Sequence, residues 1–137
     1  MTQTDKNLLL KDLCARLDTN LVCSIYRTDD EGVGYRDEIL HGYCKGDIWY
    51  EFYFREDCSI GIDNVSKIKP YLFPLSSMTE EEKEEYCQLQ QRVIYNSKGV
   101  INEDVTKYIN WCYKKHLDIN NLIPMELAID ATNLNIY

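Results

Sequence analysis

The run Ile48-Trp49-Tyr50-Glu51-Phe52-Tyr53-Phe54 constrains the fold more than any other part of the chain. In a strand, successive side chains point to opposite faces, so this run places large rings on both. One face can enter a core. The other needs a helix, a partner or a ligand to cover it. Trp49, Glu51 and Tyr53 fall on that second face and are the first candidates for a binding surface, with Tyr71 joining them from a later extended segment. Aromatic anchors dominate interface energetics, which is why these positions are singled out.

The aromatic run is the second arm of a hairpin spanning Glu38 to Phe54, with Lys45-Gly46-Asp47 at its tip, where glycine reaches positive φ cheaply. A two-residue turn at Gly46-Asp47 would put Ile48, Tyr50, Phe52 and Phe54 on one face with Ile39, His41 and Tyr43. Trp49, Glu51 and Tyr53 would then share the other face with Leu40 and Cys44. After a turn at Arg55-Glu56-Asp57, Cys58 to Ile62 makes a third strand. Upstream, Leu21 to Tyr26 reads as a strand and Asp29 to Gly34 as a turn or loop, by composition. So small a sheet requires helical cover.

Helices flank it. Leu9, Leu10, Leu13, Cys14 and Leu17 recur at three- and four-residue intervals, predicting a helix from Thr4 or Asp5 to Leu17. Pro70 and Pro74 bracket Tyr71-Leu72-Phe73 in an extended or turn-like segment between the strand-rich and helix-rich halves. Thr79 with Glu80, Glu81 and Glu82 forms a capping box for a helix to about Tyr95, with Tyr86, Leu89, Val93 and Ile94 inward. Asn102 caps another helix with the stripe Val105, Tyr108, Ile109 and Cys112, ending near His116. Pro124 suits the first turn of a last short helix, Met125 to Ala131.

The fold class is therefore α+β: an N-terminal helix, a small antiparallel sheet of three to four strands, and C-terminal helices packed on it. A closed SH3-like barrel is the alternative arrangement of the strands. The 137 residues form one domain, 1–137, without repeats or linkers. Acidic residues outnumber basic ones 23 to 15, a formal charge of -8, which argues against direct contact with nucleic acid or anionic lipid. No run approaches the length of a membrane span. The six cysteines are widely spaced and Met1 to Lys11 lacks a long apolar run, so reduced thiols and a cytoplasmic location are expected.

Three chemistries are worth testing against the residues. Zinc sites present paired ligands at close, repeated spacing, whereas here the nearest pairs are His41 with Cys44 and Cys112 with His116. No metal or other cofactor is expected, because cysteine more often serves as a small buried hydrophobe. A thiol enzyme would draw on Cys58 with His41 or His116, without any local nucleophile motif, so no catalytic residue is assigned. The run Glu80 to Glu85 is a solvated helix start unless something buries it. Gly32-Val33-Gly34 lacks the remainder of a phosphate-loop fingerprint.

Leu8 to Leu17, the block Ile68-Lys69-Pro70-Tyr71-Leu72-Phe73-Pro74-Leu75-Ser76-Ser77-Met78-Thr79-Glu80-Glu81-Glu82, Tyr108 to His116 and Leu122 to Ala131 form a familiar pattern. It resembles a family of small proteins recurrent in phages and mobile elements of gut anaerobic bacteria. The resemblance implies an accessory role inside a bacterial cell, with no activity, cofactor or catalytic residue attached. The expected function is a non-catalytic binding protein, such as an inhibitor of a host or defence protein, acting through an acidic and aromatic surface on a protein partner. A small-ligand or nucleotide-binding domain, with its pocket between the aromatic sheet face and Pro70 to Ser77, is the alternative. A thiol-dependent enzyme stands third.

Overall fold

The computed structural model describes the whole chain except residues 30–31, 46–49, 56–57 and 96–101; side chains at 29, 45, 55, 95 and 102 are also left aside. Helix α1 (Gln3–Ala15) starts earlier than the periodicity predicts because Thr2 caps it: the Asp5 amide donates to Thr2 Oγ1 at 3.2 Å and the Thr2 amide to Asp5 Oδ2 at 2.7 Å. Among the described residues seven strands form two sheets: β1 (Val22–Asp29), β2 (Gly32–Ile39), β3 (Gly42–Lys45), β4 (Tyr50–Arg55), β5 (Cys58–Gly61), β6 (Ile68–Leu72) and the short C-terminal β7 (Ile129–Asp130). The sheet orders are β2-β1-β6-β7 and β3-β4-β5, where β7 runs parallel to β6. The structure thus has two sheets where a single antiparallel one is expected, the larger of them mixed through the parallel β6–β7 pair, and the α+β class holds.

One segment, residues 32–45, belongs to both sheets. Its first part pairs with β1, and the Leu40 amide still donates to Leu21 O at 2.8 Å. The next amide, His41, donates to Tyr53 O at 3.0 Å on the opposite edge, and β3 pairs with β4 from there. A 3₁₀ turn (Ile62–Lys67) then leads from β5 back to β6, which lies antiparallel to β1. The two sheets thus share one bent strand, followed by a meander and a return beside the first strand. Leu40, Phe52, Phe54, Cys58, Ile60, Ile25 and Ile68 fill the space between the sheets, and Leu9 and Leu13 of α1 close one end.

The observed pairing of Tyr43 with Phe52 and of Lys45 with Tyr50 is shifted by two residues from a two-residue turn at Gly46-Asp47. A shift of two keeps every side chain on its face, so Phe52 and Phe54 still point inward and Glu51 and Tyr53 outward, as predicted. The Gly46-Asp47 tip, Ile48, Trp49 and the turn at Glu56-Asp57 lie outside the described residues. Ile39 and Leu40 exchange roles: Ile39 is exposed and Leu40 buried, because the chain turns from one sheet to the other just after Leu40. The predicted loop from Asp29 to Gly34 is instead largely strand, with β1 reaching Asp29 and β2 starting at Gly32, where φ is +125°.

Pro70 sits inside β6 between two strands, a position its missing amide usually forbids. It is tolerated because β7 pairs only with Tyr71 and Leu72 beyond it. Helix α2 (Glu80–Tyr95) carries the predicted capping box, with Glu82 N to Thr79 Oγ1 at 3.2 Å and Thr79 N to Glu82 Oε2 at 3.0 Å. Ile94 is exposed instead of inward. Helix α3 (Asn102–Lys114) packs on α2 through Tyr86, Tyr108 and Trp111. The predicted helix at Met125 to Ala131 does not form. The Asp118 carboxylate takes the amides of Leu122 and Ile123 at 2.7 and 2.9 Å, Glu126 adopts φ +60°, and Leu127 and Ala128 enter the core as Ile129 joins β6. Tertiary burial here outweighs the local signal of Pro124.

Helix α1 is tied to the end of α3 by a fully buried ion pair. Arg16 Nε donates to Asp12 Oδ2 at 2.7 Å, its Nη2 donates to Leu117 O at 2.8 Å, and Asn120 Nδ2 donates to Asp12 Oδ1 at 2.7 Å. The guanidinium also lies 4.6 Å from the Tyr113 ring centre. Removing one member strands the other in a dry site, so Arg16→Met should cost about 3 to 5 kcal/mol in urea unfolding. The double variant Asp12→Leu/Arg16→Met should lose less than the single one.

Candidate binding surface

The outer face of the four-stranded sheet follows from its register. Cys23, Ile25, Ile68 and Leu72 point into the core, so the residues between them point away. Along β2 the outward set is Val33, Tyr35, Asp37 and Ile39, all exposed; Val33 is 72% and Tyr35 66% accessible. Tyr35 meets Tyr26 across the β1–β2 ladder, ring centres 5.2 Å apart and edge to face. This is a mostly apolar row, interrupted by Asp37, on an outermost strand.

The same residues carry the free backbone groups. Leu40 N bonds to Leu21 O, and in an antiparallel ladder such bonds recur every second residue. Glu38 and Arg36 therefore direct their amides to β1, while Val33, Tyr35, Asp37 and Ile39 direct theirs outward. Among the described residues no strand pairs with that outer edge until His41, where β4 takes it up.

The structure separates the residues that the sequence singled out. Glu51 and Tyr53 lie on the outer face of β4, half-buried: Glu51 Oε2 accepts from Ser59 Oγ at 3.0 Å, and Tyr53 packs near the His41 ring at 6.2 Å. Trp49, between β3 and β4 in sequence, is outside the described residues. Tyr71 lies on the other sheet and is nearly buried. Its hydroxyl donates to Asp37 Oδ1 at 2.9 Å across β1, and its carbonyl accepts from the Tyr137 hydroxyl at 2.7 Å. Tyr71 thus braces the sheet and does not present a ring to a partner. Burial and the Asp37 hydrogen bond both hold its phenol above the usual range.

Sequence reading missed Tyr26, Val33, Tyr35 and Ile39. A period-two signal was present in Val33, Tyr35, Asp37 and Ile39, but Gly32, Gly34 and the acids before them read as a loop.

The nucleophile candidates do not share a face. Cys58 is buried in the core, whereas His41 is exposed and packs against the outward Tyr53. Cys112 is also buried, and desolvation pushes its thiol up to about 11, away from the thiolate a nucleophile needs. His116 does not continue the α3 helix. It occupies the left-handed position of a Schellman cap, φ 55°, with Leu117 N bonded to Cys112 O at 3.0 Å and His116 N to Tyr113 O at 3.0 Å. Among the described residues no three His, Cys, Asp or Glu side chains gather to hold a metal ion, and no helix is long and apolar enough to cross a membrane.

Comparison with known proteins finds no family model, no curated protein and no solved structure that matches the chain.

His116 stacks on Tyr137 at 3.9 Å and 10°, and burial, with the nearby Arg16 charge second, lowers its pKa from 6.5 to about 4. Lys114, Lys115, Glu82 and Tyr137 line the same cleft. The folded state resists protonating this ring, so its contribution to stability is complete above pH 6.5 and is lost as pH falls toward 4. The loss approaches about 3 kcal/mol. His116→Asn keeps a residue suited to the left-handed position, and should flatten that part of the stability curve in urea unfolding at stepped pH.

Proposed function

We propose that this chain is a non-catalytic protein-binding module that accepts an extended, basic segment of a partner along the outer edge of β2. The observation that carries this reading is the coincidence, on Val33, Tyr35, Asp37 and Ile39, of outward amides with exposed side chains that are mostly apolar. A partner strand added there gains main-chain hydrogen bonds from the edge and side-chain contacts from Val33, Tyr35 and Ile39. Natural sheets often block such an edge with prolines or lysines, and β2 (Gly-Val-Gly-Tyr-Arg-Asp-Glu-Ile) holds neither, its charges being Arg36, Asp37 and Glu38.

Charge selects the partner. At -8 the chain repels a second copy of itself and attracts a segment rich in Lys and Arg. The resemblance to small phage and mobile-element proteins suits an inhibitor of a host or defence protein. None of the six cysteines is in a disulfide, and three of them are exposed, which suits the reducing cytoplasm.

The test compares the wild type with Tyr35→Glu and Val33→Pro in affinity capture from host lysate, followed by titration of the captured protein. Tyr35→Glu puts a charge in the exposed row, and Val33→Pro removes an outward amide without touching the β1 ladder. Each should weaken the same interaction by about tenfold or more. Equal binding by all three proteins would exclude the β2 edge as the docking strand.

A further inference from the structure

Among the described residues the open edge of β2 ends at Ile39. From His41 onward β4 already occupies it, because the His41 amide donates to Tyr53 O at 3.0 Å. A strand added there begins beside Ile39 and meets the outward amides of Ile39, Asp37, Tyr35 and Val33 in turn. Antiparallel pairing is the more stable per residue, and it sets a partner residue directly opposite each of these, with its side chain on the same outer face.

Asp37 is the charged member of this row. Its carboxylate is held in place by Tyr71, which is 9% exposed and donates its hydroxyl to Oδ1 at 2.9 Å. Among the described residues no cation pairs with Asp37. Lys69 stands in the same cross-sheet row, Asp37 to Ser24 to Lys69, but two strand spacings away, about 10 Å. The acid is therefore exposed, oriented and uncompensated in the middle of an apolar row.

Building on the edge-docking reading above, we propose that Asp37 determines the specificity of that edge: the partner strand carries an arginine directly opposite Asp37 and apolar residues opposite Ile39, Tyr35 and Val33. A carboxylate already fixed by its brace loses little freedom when a cation pairs with it. Arginine fits better than lysine because its flat guanidinium can bond the carboxylate and also lie against an aromatic ring. Tyr35 offers that ring two residues along the same face, 66% accessible and steadied by Tyr26 at 5.2 Å. On the opposite face the same strand passes Arg36, so a cation displaced by one residue meets a like charge.

The probe is the peptide acetyl-Val-Thr-Arg-Thr-Val-Thr-Val-amide, whose arginine falls opposite Asp37, titrated into the protein while the backbone amide signals are followed by NMR. Its isomer acetyl-Val-Thr-Thr-Arg-Val-Thr-Val-amide has the same composition and charge with the arginine on the other face. The first peptide should shift the Val33, Tyr35, Asp37 and Ile39 amides with a Kd on the order of 0.1 to 1 mM, and the isomer should bind about fivefold more weakly. Asp37→Asn keeps an oxygen for the Tyr71 hydroxyl and removes the charge; it should weaken the first peptide about fivefold and leave the isomer unchanged. Equal affinity of the two peptides at β2, or no loss in Asp37→Asn, would overturn the role of Asp37 and leave edge docking standing. No shift of the β2 amides by either peptide would overturn both.

Discussion

The two hydrogen bonds on either side of the Leu40–His41 peptide set the rest of the fold. Leu40 N reaches back to Leu21 O and His41 N reaches across to Tyr53 O, so one strand is handed from the edge of β1 to the edge of β4. Because successive amides of a strand point to opposite sides, this handover needs no break in the chain. Both sheets then face a common core, with Leu40 buried at the bend. The same geometry leaves the other edge of β2 without a neighbour among the described residues.

A second centre holds the C-terminal half. Arg16 joins Asp12 on its own helix to the Leu117 carbonyl, and Asn120 closes the network on Asp12. From that anchor, Phe73 N donates to His116 O and Asp118 N to Phe73 O, so residues 116–118 run beside the end of β6. The Schellman cap, the Tyr137 stack and the cleft all depend on this docking. Buried charge at such a junction fixes which elements meet more than it adds net stability.

Much of this was legible in the residues, for reasons that differ by element. The capping box at Thr79 is local chemistry and appeared as read. The inward set Phe52 and Phe54 survived a two-residue error in register because side-chain faces depend only on parity. Strand β2 was missed because its glycines and acids have low strand propensity, and pairing with β1 supplies what the sequence lacks. The helix at Met125 to Ala131 failed for the converse reason: Leu127 and Ala128 are drawn into the core, and Asp118 captures the amides that precede them. Of the predicted site, Glu51 and Tyr53 face outward, while Tyr71 turned out to be a brace whose hydroxyl is committed to Asp37.

The claim that most needs a direct measurement is that the edge of β2 is open in the isolated protein. Residue-resolved amide hydrogen exchange decides it. Slow exchange is expected at Arg36, Glu38 and Leu40, whose amides face β1, and exchange close to that of unstructured peptide at Val33, Tyr35, Asp37 and Ile39. Equal protection of both sets would mean that the edge is already covered, and would contradict a docking strand waiting for a partner.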